Sequence, residues 1–185
     1  MNGMKILIFG VSNVGKTTIG ELLAKRLGYK FYDLDEETKK QFHMTLEEFV
    51  NTRDLRWRDK QRGHIINKLL KSNENMVIAI TPISYAETFI SNIFKDNILV
   101  LELYDTAENI FSRLIFSDEN DNAYEDDEYK NKYKNHYIRE IQADLNWYGM
   151  VNTLIGIQER VFMNNDTPDQ VVERIITQYN LDHSD

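Results

Sequence analysis

At 185 residues the chain is long enough for one domain with a substantial buried core. Its 42% hydrophobic and 28% charged residues are ordinary for a globular protein, and no run of about eighteen apolar residues is present to span a membrane. A formal net charge of −8 argues against a nucleic-acid partner, and the absence of cysteine excludes disulfides, zinc thiolates and thiol chemistry.

Apolar runs alternate with helical patterns along the chain, the signature of a parallel α/β sheet. The first residues lead straight into a strand predicted over 4–9, with neither a basic n-region nor a small-residue cleavage site. A cytoplasmic location is the expectation. Next comes Gly10-Val11-Ser12-Asn13-Val14-Gly15-Lys16-Thr17, which matches G-x-x-x-x-G-K-[ST], and then a helical pattern over 18–27. Strand, glycine loop and helix together read as a phosphate-binding P-loop. Glycines let successive N–H groups converge on one phosphate, and the helix N-terminus adds partial positive charge. Lys16 is expected to reach the β- and γ-phosphates and the Thr17 hydroxyl to ligate Mg²⁺, so ATP and Mg²⁺ are the implied cofactors.

A short second strand ends at Asp33, with Asp35 two residues on. If the chain stays extended there, both carboxylates point to one side; the alternative is a loop exit and the cap of the next helix. Helical patterns follow over 36–42 and 46–70, turning near 43–45, where Thr45 and Glu48 fit a capping box. Strands are predicted at 76–80 and 97–103, with helices at 84–93 and 106–116. Residues 117–129 hold seven acidic side chains and no basic one; a basic stretch, Lys130, Lys132, Lys134 and Arg139, comes next. The acidic run reads either as a solvated loop or as part of a lid at about 117–134. A weak fifth strand at 160–163 precedes a helix opened by Thr167-Pro168-Asp169-Gln170: N-cap, proline at the first position and an acidic first turn. The four histidines show no ligand-like spacing, and no repeat or second domain is read, so 1–185 is taken as one domain.

The stretch Phe9-Gly10 … Gly15-Lys16-Thr17-Thr18-Ile19-Gly20, Leu22-Leu23-Ala24-Lys25-Arg26-Leu27-Gly28-Tyr29 and Phe31-Tyr32-Asp33-Leu34-Asp35 resembles the shikimate kinase family, within the nucleoside-monophosphate-kinase-like P-loop group. The likeness continues faintly through 44–49 to Trp57-Arg58 and returns at 165–173. It implies a three-layer α/β P-loop fold with a five-stranded parallel sheet in the order 2-3-1-4-5. It also implies ATP-dependent phosphoryl transfer to a small-molecule hydroxyl, shikimate first among the acceptors. Gly10, Ser12, Asn13, Val14, Gly15, Lys16, Thr17 and Thr18 then bind nucleotide, and Arg113 stacks on it. Lys16 and Asp35 are the catalytic pair; Thr17 and Asp33 hold the magnesium; Asp35 and Arg58 bind the acceptor, Arg58 gripping a carboxylate. Arg58 reads alternatively as a surface helix residue paired with Asp54 or Asp59, and Arg113 as a solvated one.

Three departures from the family stand out. The run of three glycines expected after the third strand is replaced by Ala79-Ile80-Thr81-Pro82-Ile83-Ser84; no arginine occurs between Arg113 and Arg139; and the arginine expected on the helix after the lid has no clean counterpart, with Lys134 or Arg139 nearest. Three readings therefore stay open: a shikimate kinase with a divergent acceptor pocket, a related kinase for another acceptor, or a nucleotide-binding protein with little activity. A pocket closed by Ile80, Pro82 and Ile83 favours the last, whereas an open pocket on which Asp35 and Arg58 converge favours a kinase. Oligomeric state is not readable.

Overall fold

The computed structural model describes residues 3–116 and 127–181. Five parallel strands form one sheet: β1 (Lys5–Phe9), β2 (Lys30–Asp33), β3 (Met76–Ala79), β4 (Ile98–Tyr104) and β5 (Glu159–Phe162), in the order β2-β3-β1-β4-β5. The order matches the one implied by the family likeness. β1 is central and buried throughout, which is why its sequence, Lys-Ile-Leu-Ile-Phe, is a nearly continuous apolar run. Side chains alternate across the pleat. Ile6 and Ile8 join Leu23, Leu101, Val172 and Ile175 on one face; Leu7 and Phe9 join Ile66, Ile78, Phe89 and Ile155 on the other. Helices cover both faces, making the three layers.

The helices are α1 (Lys16–Leu27), α2 (Leu34–Phe42), α3 (Leu46–Val50), α4 (Leu55–Leu70), α5 (Ile90–Ile93), α6 (Ala107–Arg113), α7 (Glu128–Ile155) and α8 (Pro168–Gln178). The capping box expected from sequence, Thr45 with Glu48, is formed at α3, and the expected N-cap Thr167 of α8 makes a second one with Gln170. The predicted helix over 46–70 divides at 51–54, where Asp54 caps α4 by accepting the Trp57 N–H at 2.8 Å. α7 runs on through Ile155 and stops at Gly156, whose φ of 99° closes it in the left-handed conformation.

Two sequence expectations need correction. The helix predicted over 84–93 is helical only at Ile90–Ile93. The buried Asp59 carboxylate accepts the N–H groups of Ser84 at 2.9 Å and Tyr85 at 3.1 Å, holding the start of this segment in a turn. The chain also does not stay extended from Asp33 to Asp35: β2 ends at Asp33, which caps α2, and Asp35 lies in the first helical turn. Of the lid expected at 117–134, residues 117–126 lie outside the described part; 128–134 open α7.

Candidate nucleotide and acceptor site

The carboxyl ends of β1, β2, β3 and β4 meet at one edge of the sheet, the place where open α/β sheets gather ligand-binding loops. The loop between β1 and α1 supplies the centre. Gly10 has φ 144°, and a Cβ there would lie 2.5 Å from the Leu103 carbonyl oxygen, so no side chain fits. Asn13 (φ 62°) and Gly15 (φ 116°) adopt left-handed turns before α1 begins. The curl that the motif demands is therefore present.

Lys16 opens α1 and folds its amine back on the Val11 carbonyl at 2.7 Å. Burial lowers its pKa from 10.5 to about 8, against the opposing pull of Asp35 and Asp33. The Thr17 hydroxyl donates to Asp33 Oδ2 at 2.8 Å. The other oxygen, Oδ1, accepts the N–H groups of Asp35 at 2.9 Å and Glu36 at 3.4 Å. Asp33 thus caps the helix with one oxygen, the alternative weighed for it from sequence, and faces the P-loop threonine with the other. A hydroxyl and a carboxylate oxygen at hydrogen-bond distance suit a hard divalent cation that keeps several waters.

Two contiguous cavities flank Lys16 and Thr17. One, of about 480 Å³, runs past Asn13, Gly15 and Thr18 to Arg113, Leu114 and Ile115. The other, of about 240 Å³, is bounded by Ser12, Asn13, Asp33, Asp35, Thr81 and Pro82. Ile80 and Ile83 do not close it; both are packed in the core. Of the predicted nucleotide residues, Val14 is fully buried beneath the loop and contributes shape. Arg113 is held by Asp105 Oδ2 at 2.8 Å and Asn165 Oδ1 at 3.1 Å, facing the larger cavity.

The acceptor side is arranged differently from the expected convergence of Asp35 and Arg58. Asp35 pairs with Arg62 at 3.4 Å, while Arg58 reaches from α4 to the Val50 carbonyl at the end of α3. Arg58 Nε is buried with no hydrogen-bond partner among the described residues. Lys130 caps α6 by donating to the Ser112 and Leu114 carbonyls, at 2.8 and 3.0 Å. Lys134 is exposed, and Arg139 donates to Asn135 on its own helix at 3.1 Å. Sequence reasoning gave no site role to Arg62, Asp105 and Asn165, and weighed Asp59 only as a partner of Arg58. The spacing of Asp59 and Arg62, three apart on a helix, was the available signal. A larger groove of about 640 Å³ lies between α1 and α8; it is shallow and bounded by the exposed Arg26–Asp169 and Arg26–Glu173 pairs, away from these groups.

Comparisons with known proteins agree with this fold. The shikimate kinase family profile matches residues 12–180. The shikimate kinase of Bacillus subtilis is 31% identical over 104 residues, 56% of this chain and 56% of that enzyme. The pentafunctional AROM polypeptide of Schizosaccharomyces japonicus is 29% identical over 150 residues, covering 77% of this chain but 9% of that polypeptide. Among solved structures, shikimate kinase from Bacteroides thetaiotaomicron superposes with a TM-score of 0.71 at 20% identity, covering 96% of this chain and 98% of that one. The Acinetobacter baumannii shikimate kinase in complex with shikimate gives 0.69 at 19%, covering 99% and 96%. At such identities the structural likeness speaks for the fold. No helix among the described residues is long and apolar enough to cross a membrane.

Proposed function

Since the chain belongs to the shikimate kinase family, we propose that it transfers the γ-phosphoryl group of ATP to a hydroxyl of shikimate, giving shikimate 3-phosphate and ADP. The observation that carries this is the placement of Lys16, Thr17, Asp33 and Asp35 around a cavity continuous with the P-loop. In this reading the larger cavity takes ATP, with the N–H groups of 10–17 around the phosphates and Arg113 against the base. The smaller cavity takes the acceptor. Asp35 accepts the proton of the attacking hydroxyl and fixes it in line with the transferred group. Lys16 leaves the Val11 carbonyl for the β- and γ-phosphate oxygens and stabilises their charge as the bond to the leaving oxygen lengthens. Thr17 and Asp33 would hold Mg²⁺, which when bound neutralises phosphate charge.

Arg58, whose Nε lacks a partner, turns from Val50 to the acceptor carboxylate, where a guanidinium binds in a two-point fork. A single kinase domain, a lid at 117–134 and a cytoplasmic setting belong to the same reading. The test is ADP formation from Mg-ATP with and without shikimate, using Lys16→Ala as the blank. Shikimate-dependent ADP is expected. Bound ATP with no stimulation by shikimate would reject shikimate as acceptor.

A further inference from the structure

Behind the Asp35 carboxylate lies a chain of charges that the P-loop chemistry does not use. Arg62 is 7% exposed and sits between two acids: one terminal nitrogen is 3.4 Å from Asp35 Oδ1, the other 3.6 Å from Asp59 Oδ1. Its guanidinium lies over the Phe49 ring, 5.3 Å from the centroid. Asp35 itself is 33% exposed, so its front faces the cavity while its back is held. Asp59 is fully buried, and its Oδ2 takes the N–H groups of Ser84 and Tyr85.

We propose that Arg62 is a positioning residue of the acceptor site, fixing where Asp35 points and coupling it through Asp59 to the segment that follows β3. The proposal rests on the reading that Asp35 engages the acceptor hydroxyl. Three observations carry it. First, the arrangement is costly as a mere structural pair. Arg62 Nε and Asp59 Oδ1 are both buried without a hydrogen-bond partner among the described residues, and well-packed apolar side chains of similar volume are commonly at least as stable in such a place.

Second, the segment after β3 has few backbone donors left for an acceptor. The Ile80 N–H bonds the Ile8 carbonyl at 2.8 Å, Pro82 has none, and those of Ser84 and Tyr85 are held by Asp59. Side-chain placement around Asp35 therefore carries more of the recognition than in a glycine-rich loop. Third, α7 brings aromatic residues here. Trp147 Nε1 donates to Ser84 Oγ at 3.1 Å, and Tyr148 lies within electrostatic reach of Asp59 and Arg62. Arg139, the basic candidate on α7, is eight residues earlier, about 12 Å along the helix axis. The guanidinium at this spot is supplied by α4.

The test compares wild type with Arg62→Met, which keeps an unbranched apolar stem and loses the charge, and Arg62→Lys, which keeps charge and loses the fork. Steady-state kinetics with Mg-ATP and shikimate should show KM for shikimate raised about tenfold in Arg62→Met, with KM for ATP within about twofold, and Arg62→Lys between the two. A crystal structure of Arg62→Met should show the Asp35 carboxylate displaced from the cavity wall. Should Arg62→Met fail to fold, the near-isosteric Asp59→Asn serves, with the same direction of change expected. Unchanged acceptor KM, or equal losses for both substrates, overturns the proposal. If wild type makes no shikimate-dependent ADP, the acceptor reading fails, and the crystal structure alone then decides: a displaced Asp35 supports positioning, an unmoved one overturns it.

Discussion

Replacing Lys16 by methionine should abolish turnover and yet make the nucleotide-free protein more stable at neutral pH. In the empty P-loop the ammonium is largely stripped of water, which lowers its pKa from 10.5 to about 8. At 1.36 kcal/mol per pH unit, that gap puts a ceiling of about 3 kcal/mol on the cost of keeping the group charged at pH 7. The bond to the Val11 carbonyl is lost in the variant, which returns about 1 kcal/mol. The net is about 2 kcal/mol in favour of Lys16→Met, or roughly 4–8 °C in Tm for a chain of this size. The pH dependence carries the proof. Between about 8 and 10.5 the native state binds fewer protons than the unfolded chain, so wild-type stability rises with pH there while the variant's does not. The gap should be constant below pH 8, close near about pH 9.5 and reverse by about 1 kcal/mol above about pH 10.5. Thermal unfolding of both proteins at a series of pH values, without nucleotide, measures it. Saturating Mg-ATP should invert the order, because binding stabilises the wild type alone. A variant less stable than wild type at pH 7, or a gap indifferent to pH, would refute the reasoning.

Asp33→Asn keeps the cap of α2 but removes the charge facing Thr17, so the Mg²⁺ concentration for half-maximal ADP formation should rise several-fold while Tm holds; Asp33→Ala should lose about 1 kcal/mol of stability in addition. Arg113→Ala and Asp105→Asn should weaken ATP binding by about tenfold each, read by nucleotide titration, because the fully buried Asp105 side chain aims the guanidinium; little change in the acceptor KM is expected of either. Gly63→Ala improves helix propensity by about 1 kcal/mol, but its Cβ would lie 2.7 Å from Thr88 Cβ. A net loss of about 1–3 kcal/mol should appear in denaturant titration, and a gain would show that the α4 contact is loose.

The parts of the site that were legible in the sequence are those built from neighbours in the chain. Gly10 to Thr17 form one loop, and Thr45 and Thr167 each cap within three residues, so spacing alone carries the geometry. The strands were legible because a buried parallel sheet needs uninterrupted apolar runs, as in β1 and β3. The acceptor side joins α2, α4 and the segment after β3. Four arginines fall within 53–62, and which of them meets Asp35 depends on how far α4 is rotated, a quantity set by Ile65 and Ile66 packing under the sheet. The helix at Ile90–Ile93 was overestimated: helical periodicity over 84–93 is real, but Asp59, 25 residues upstream of Ser84, pins the start of the segment, and the first helical bond, from the Ile90 N–H to the Ala86 carbonyl, closes only later.

The central position of β1 also governs how the chain is made. Its first residue pairs with Met76 on one side and Ile98 on the other, so both edges of an apolar strand wait for partners 71 and 93 residues away. At about 5–20 residues per second of synthesis, those edges stay open for roughly 5–20 s, a window in which chaperone contact or mispairing competes with the fold. Gly10 lies against the Leu103 carbonyl, so the close approach of the phosphate loop to the sheet is completed only when β4 docks. The last close contact of the phosphate loop is therefore made late, after both edges of β1 are paired.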